Sequence, residues 1–177
     1  MLKSIIIASA AFVAFSTAHA QNEVVTPPPT DAQIAMIAVT ADSVDIDLAK
    51  LAKQKTSNKA VREFAQTMVR DHTAVNTKAT ALVKKLGVTP EESDTSRSVR
   101  SDGDKKMAEL KTLTGAEFDK AYIDNEVSYH EAVLGVLDKT LIPNTKNAEL
   151  KSLLESARPI FVSHLEHAKK LQASISK

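Results

Sequence analysis

The 177-residue chain has no cysteine, no tryptophan, four glycines, and only two tyrosines and five phenylalanines. Without cysteine there is no disulfide framework, so stability must come from packing. No cysteine follows the amino-terminal segment to carry a lipid, and nothing after that segment is apolar for long enough to cross a bilayer. An excess of charge is also missing. Without Lys3 the 23 Lys and Arg become 22, matching the 22 Asp and Glu. This balance argues against nucleic acid or an acidic membrane surface as partner. There is no nucleophile constellation, no phosphate-cradling loop and no aromatic-basic surface. Few glycines, six prolines and abundant Ala, Leu, Lys and Glu suit one all-helical domain.

The chain opens MLKSIIIASAAFVAFSTAHA, with a basic start at Lys3, an apolar run from Ile5 to Phe15, and Ala18-His19-Ala20 as a small-x-small site. That is the pattern of a secretory signal peptide cleaved after Ala20. As a helix the apolar run spans only ~16 Å, too short for ~30 Å of hydrocarbon. The expected location is the periplasm or the exterior, with envelope association open. Residues 21–30, QNEVVTPPPT, read as an extended tether. Residues 31–177 read as the domain.

From Asp31 the apolar positions recur at helical spacing: Ile34, Ala38, Ala41, Leu48 and Ala52, with a break at Thr56-Ser57-Asn58. A second helix is expected over about Asn58–Leu86, with Gly87 as its cap and the stripe Val61, Ala65, Met68, His72, Val75, Ala79, Leu82, Leu86. Residues 87–103 are polar and rich in turn formers. A short amphipathic stretch around Met107, Leu110 and Leu113 follows, up to Gly115. A third helix is expected over about Ala116–Leu141, stopping before Pro143. A fourth runs from about Thr145, with Pro159 kinking or bulging it. Two short turns and one long crossover between helices two and three predict a ferritin-like four-helix bundle.

The segments DIDLAKLAKQKTSNKAVREFAQTMVRDHTAVN, GAEFDKAYIDNEVSYHEAVL and ARPIFVSHLEHAKKL resemble an exported bacterial family of ferritin-like fold, domain of unknown function 4142, often labelled outer membrane proteins. The resemblance covers nearly all of the chain after the signal segment and is most specific at MVRDHT. It implies fold and export without implying a reaction. The family's histidine motifs correspond to Asp71-His72, His130 and His164, and its helix-one acid to Asp45, where this chain carries Asp instead of Glu. A barrel is not implied, because the periodicity is helical and lacks strand alternation.

His72, His130 and His164 each sit on an apolar seam, and Asp45 shares the spacing of helix one's apolar face. Glu126 lies one turn before His130, and His167 about one turn after His164. A buried imidazole without a partner costs on the order of 1–3 kcal/mol, so each needs a hydrogen bond or a metal. One expectation is an interior site for a divalent transition metal (zinc, iron or copper), possible ligands being Asp45, His72, Glu126, His130 and His164, redox-active in one version. The other is a polar layer fixing helix register, with the histidines bonded to Asp45, Glu126, Tyr122 or Tyr129. Counting from the turns puts His72, His130 and Asp45 near one level and His164 ~10 Å away. Asp71 points about 100° from His72, toward an outward salt bridge or cap. His164 and His167 could form a surface pair, and Met36 and Met68 read as core filler. Glu-x-x-His occurs nowhere, which disfavours a di-iron centre. The first functional expectation is therefore a non-enzymatic binding or envelope-stress protein, and the second a metalloprotein. A protein partner or homo-oligomer is compatible with both.

Overall fold

Why these residues form four long helices is visible at their ends. In the structure, a computed structural model that describes residues 27–175, α1 spans Asp31–Lys55. It opens with a capping box: Thr30 Oγ1 accepts from the Gln33 amide while the Gln33 side chain accepts from the Thr30 amide. The Asn58 carboxamide starts α2, Lys59–Leu86, and Gly87 closes it at φ 64, a left-handed conformation favouring glycine. Helix α4 covers Gly115–Val136 and continues through a π-turn, Leu137–Leu141, into the short α5, Ile142–Asn144. Helix α6 covers Ala148–Ile175. The expected signal peptide and residues 21–26 of the tether lie outside the described residues. Among the described residues no helix is long and apolar enough to cross a membrane.

Helices α1 and α2 pair as one hairpin and α4 and α6 as the other, with α2 against α6 closing the bundle. Asp31 ties the hairpins at one end, its carboxylate accepting from the Lys146 and Asn147 amides. The long crossover is largely helical. Residues Asp94–Thr112 form α3, which lies along α1 in the same direction. The Glu91 amide meets the Ala32 carbonyl at one end, and Lys55 Nζ reaches the Leu110 and Lys111 carbonyls at the other. The four-helix architecture agrees with expectation, but residues 94–103, which lie in the polar, turn-rich stretch of the sequence, are helical. Their Ser, Asp and Gly content hides the helix. The Ser93–Ser96 capping box and packing against α1 outweigh weak propensity.

One further boundary differs. Helical structure runs through Pro143 to Asn144 instead of stopping at Leu141. Proline has no amide hydrogen and its ring crowds the carbonyl four residues back. The π-turn just upstream changes the bonding there, with the Ile142 amide reaching back to the Leu137 carbonyl. Pro159 lies within α6, which is continuous across it with no π-turn there.

The interior is divided along its length. One apolar cluster includes Leu48, Val61, Phe64, Met68, Phe118, Ile123 and Leu171. The other includes Ile34, Ile37, Val75, Leu137, Leu141, Leu154 and Phe161. On α1, α2, α4 and α6 the break between them falls at Asp42, His72, His130 and His164, with Asp45 and Glu126 within about one turn of it. Two hydrocarbon cores thus enclose one polar layer.

Candidate functional site

The three seam histidines meet in that layer. Ring centroids lie 5.6 Å apart for His72 and His130, 5.1 Å for His72 and His164, and 5.5 Å for His130 and His164. Phe161 stacks on His72 at 5.0 Å and 8°. Asp45 and Glu126 are fully buried, and none of the three histidines is more than 3% exposed.

Each imidazole has one nitrogen anchored. His72 Nδ1 donates to Asp42 Oδ1 at 2.7 Å, His130 Nδ1 to the Glu126 backbone carbonyl at 2.9 Å, and His164 Nε2 to Asp71 Oδ2 at 3.0 Å. The opposite nitrogens, His72 Nε2, His130 Nε2 and His164 Nδ1, are buried without a hydrogen-bond partner, as are both oxygens of Asp45 and of Glu126. Asp45 Oδ2 sits 3.1 Å from His72 Nε2 and 3.5 Å from His130 Nε2. The shorter contact has the distance of a hydrogen bond without its alignment. His72, His130 and His164 can each offer one nitrogen within 4.8 Å of the others, and Asp45, Glu126 and His130 bring ligand atoms equally close together.

Protonation follows from burial and charge. Burial opposes a charge on His72, but the Asp45 and Asp42 carboxylates outweigh it and hold its pKa well above the usual value. Asp45, pushed up by burial, is pulled down further by the surrounding histidines. Burial lowers His130, and lowers His164 to about 4. Burial and the Asp45 charge raise Glu126 well above the carboxylate range. At neutral pH His130 and His164 therefore present lone pairs inward, toward a carboxylate that also only accepts.

Two expectations about this site need correction. His164 does not lie a further ~10 Å along the bundle; it is part of the cluster. The turn joining the second hairpin is centred near Lys146, beyond Pro143-Asn144, which lengthens the arm to His130 and shortens the arm to His164. The offset falls to about two residues, roughly 3 Å at 1.5 Å per residue. Asp71 does make the expected salt bridge, to Arg70 Nε at 2.7 Å, but the same carboxylate also holds His164. Neither tyrosine bonds a histidine: Tyr129 donates to the Ala41 carbonyl at 2.9 Å, and the Tyr122 hydroxyl is buried without a partner. His167 stays outside the cluster, exposed, with its ring edge-on to Phe64 at 5.2 Å. Met68 is core, as expected. Asp42 was missed, although its position three residues before Asp45 places both on one face of α1.

Fold and site together define a ferritin-like helical bundle with a buried histidine–carboxylate cluster. The family model described as "Domain of unknown function (DUF4142)" matches residues 14–171, and the chain belongs to that family. No curated protein matches the sequence. Among solved structures, the chain resembles CopM in its Cu(II)-bound form at TM-score 0.64 and 17% identity, covering 82% of this chain and 98% of that one. It also resembles a DUF305 fragment from Deinococcus radiodurans, at TM-score 0.69 and 15% identity over 84% and 99% of the two chains. A DUF305 protein from Streptomyces coelicolor gives TM-score 0.68 and 15% identity, over 82% and 93%. At these identities the likeness establishes the shared helical fold.

Proposed function

We propose that this protein is an exported metal-binding bundle that sequesters a transition-metal ion in its interior, with His72, His130, His164 and Asp45 as ligands and Glu126 adjoining. One observation carries the reading: three buried imidazoles, each fixed through one nitrogen by a carboxylate or carbonyl, leave the other nitrogen unpartnered beside an unpartnered carboxylate. Metal-ligating histidines are oriented in this way, because the outer hydrogen bond fixes tautomer and ring angle. A self-contained polar layer accounts for part of the cluster, since a charged His72 can bridge Asp42 and Asp45. It leaves His130 Nε2, His164 Nδ1 and the Glu126 carboxyl with nothing to bond, at on the order of 1–3 kcal/mol each.

Imidazole and carboxylate donors without sulfur suit zinc, copper(II) or iron. Copper(II) is the first ion to test, because CopM, which shares the fold, has a Cu(II)-bound form. Sequestration is favoured over turnover by lack of room. The void beside Asp45, His72 and His130 is about 10 Å³, at or below what one water requires. The signal-like pattern of residues 1–20 supports a location in the cell envelope or outside the cell for this activity. Isothermal titration of metal-free protein with copper(II) and zinc(II) is expected to give one ion per chain for wild type and none for Asp45→Ala or His72→Ala. Equal binding by all three proteins would refute the assignment.

A further inference from the structure

Every ligand atom in the cluster is buried, so a cation needs a route inward, and two cavities reach the layer with opposite chemistry. On one side a cavity of about 120 Å³ ends at Asp42, walled by Ile37, Val75, Leu137, Leu154 and Phe161. On the other, an open cleft of about 410 Å³ between α2 and α6 ends at Asp71 and His164 and is edged by Thr67, Ser163 and His167. A hydrated ion entering the first would lose its water among hydrocarbon with nothing in exchange, whereas the second offers donors from Thr67, Asp71, Ser163 and His167 beside Pro159 and Ile160.

Resting on the metal-binding reading above, we propose that metal enters and leaves through the Asp71 cleft, with the Arg70–Asp71 pair as its latch. Asp71 touches both solvent and the cluster. Its two oxygens accept from Arg70 at 2.7 and 3.0 Å, and Oδ2 also accepts from His164 Nε2 at 3.0 Å. The Arg70 side chain is 71% exposed and that of Asp71 23%. In the latched state the guanidinium both occupies the carboxylate and repels an approaching cation. When Arg70 swings into solvent, Asp71 presents a free anionic oxygen at the cleft, directly against the His164 ring that walls off the interior. Exchange of the ion is thereby set by an exposed ion pair, while retention is set by the buried ligands.

The test is stopped-flow capture of cobalt(II), read by the visible absorption of the bound ion, on metal-free wild type and three variants. Arg70→Ala is expected to capture roughly two- to fivefold faster, the factor an exposed ion pair supports. Asp71→Asn is expected to be slower by on the order of tenfold, through loss of the steering charge. Ala38→Leu, which fills the apolar cavity, should leave the rate unchanged. Slowing by Ala38→Leu, or identical rates for wild type and Arg70→Ala, overturns the proposal. Final absorbance reports separately on the site: wild type that binds no cobalt(II) refutes the metal-binding reading itself.

Discussion

An imidazole has two nitrogens, and in this cluster the fold assigns a partner to only one of each. Asp42 is the test of that division, because it anchors His72 without facing the other rings. Asp42→Asn is expected to weaken metal affinity about 10- to 100-fold, the usual cost of losing an outer-shell partner, as measured by competition with a chromophoric chelator. Protons give a second test. At pH 7 His72 is held charged while His130 and His164 are already neutral. Binding should therefore expel one proton from His72, and another where Glu126 ionises. The free state then holds more protons than the bound state, so acidification favours release, and affinity falls about tenfold per pH unit for each proton displaced. Titration calorimetry in buffers of different ionisation enthalpy measures that number directly. A value of zero or three contradicts this protonation pattern. The proposed histidine ligands were legible in sequence because a histidine on an apolar stripe breaks its pattern. Asp42 and the inward role of Asp71 were not, because an Asp beside other polar residues has no comparable contrast.

Elements whose apolar residues keep a strict helical period were readable to within a few residues. Helix α2, with its Asn58 start and Gly87 stop, is the clearest case. The first half of helix α3 was concealed because only Ser96 is buried over residues 94–103, so that half carries almost no stripe, whereas the amphipathic stretch around Met107 and Leu110 was legible. The position of α3 depends on contact with α1, where a Cβ added at Gly103 would come within 2.6 and 2.8 Å of the Val44 methyl carbons. Valine is β-branched and cannot swing aside easily. Gly103→Ala gains about 1 kcal/mol of helix propensity and loses ~1–3 kcal/mol to overpacking. The expected net result is a lower midpoint in urea with metal stoichiometry intact, and a raised midpoint would show that α3 is loosely docked. The level of His164 was misjudged for a different reason. Proline normally ends a helix, and the π-turn at Leu137–Leu141 that carries this one through Pro143 has no sequence signal.

At the scale of the molecule, two apolar cores hold between them a layer of acceptors with too few donors. Metal-free protein keeps the hydrocarbon packing and leaves His130 Nε2, His164 Nδ1 and the Glu126 carboxyl without a partner, so metal should act as a stabilising ligand of the folded state. Free ion at a hundred times Kd contributes about 2.7 kcal/mol by mass action, so the thermal midpoint of the chelated protein should rise on adding copper(II) or zinc(II). The same addition should leave the midpoint of His130→Ala unmoved. A wild-type midpoint insensitive to metal would indicate a polar layer that sets register alone.

The most direct test of the central claim is metal content by mass spectrometry. The sample is residues 21–177, exported to a periplasm and purified without an affinity tag, beside His72→Ala and His130→Ala prepared identically. The account predicts near-stoichiometric transition metal in wild type and its loss from both variants. Wild type free of metal, or metal retained undiminished by both variants, would contradict it.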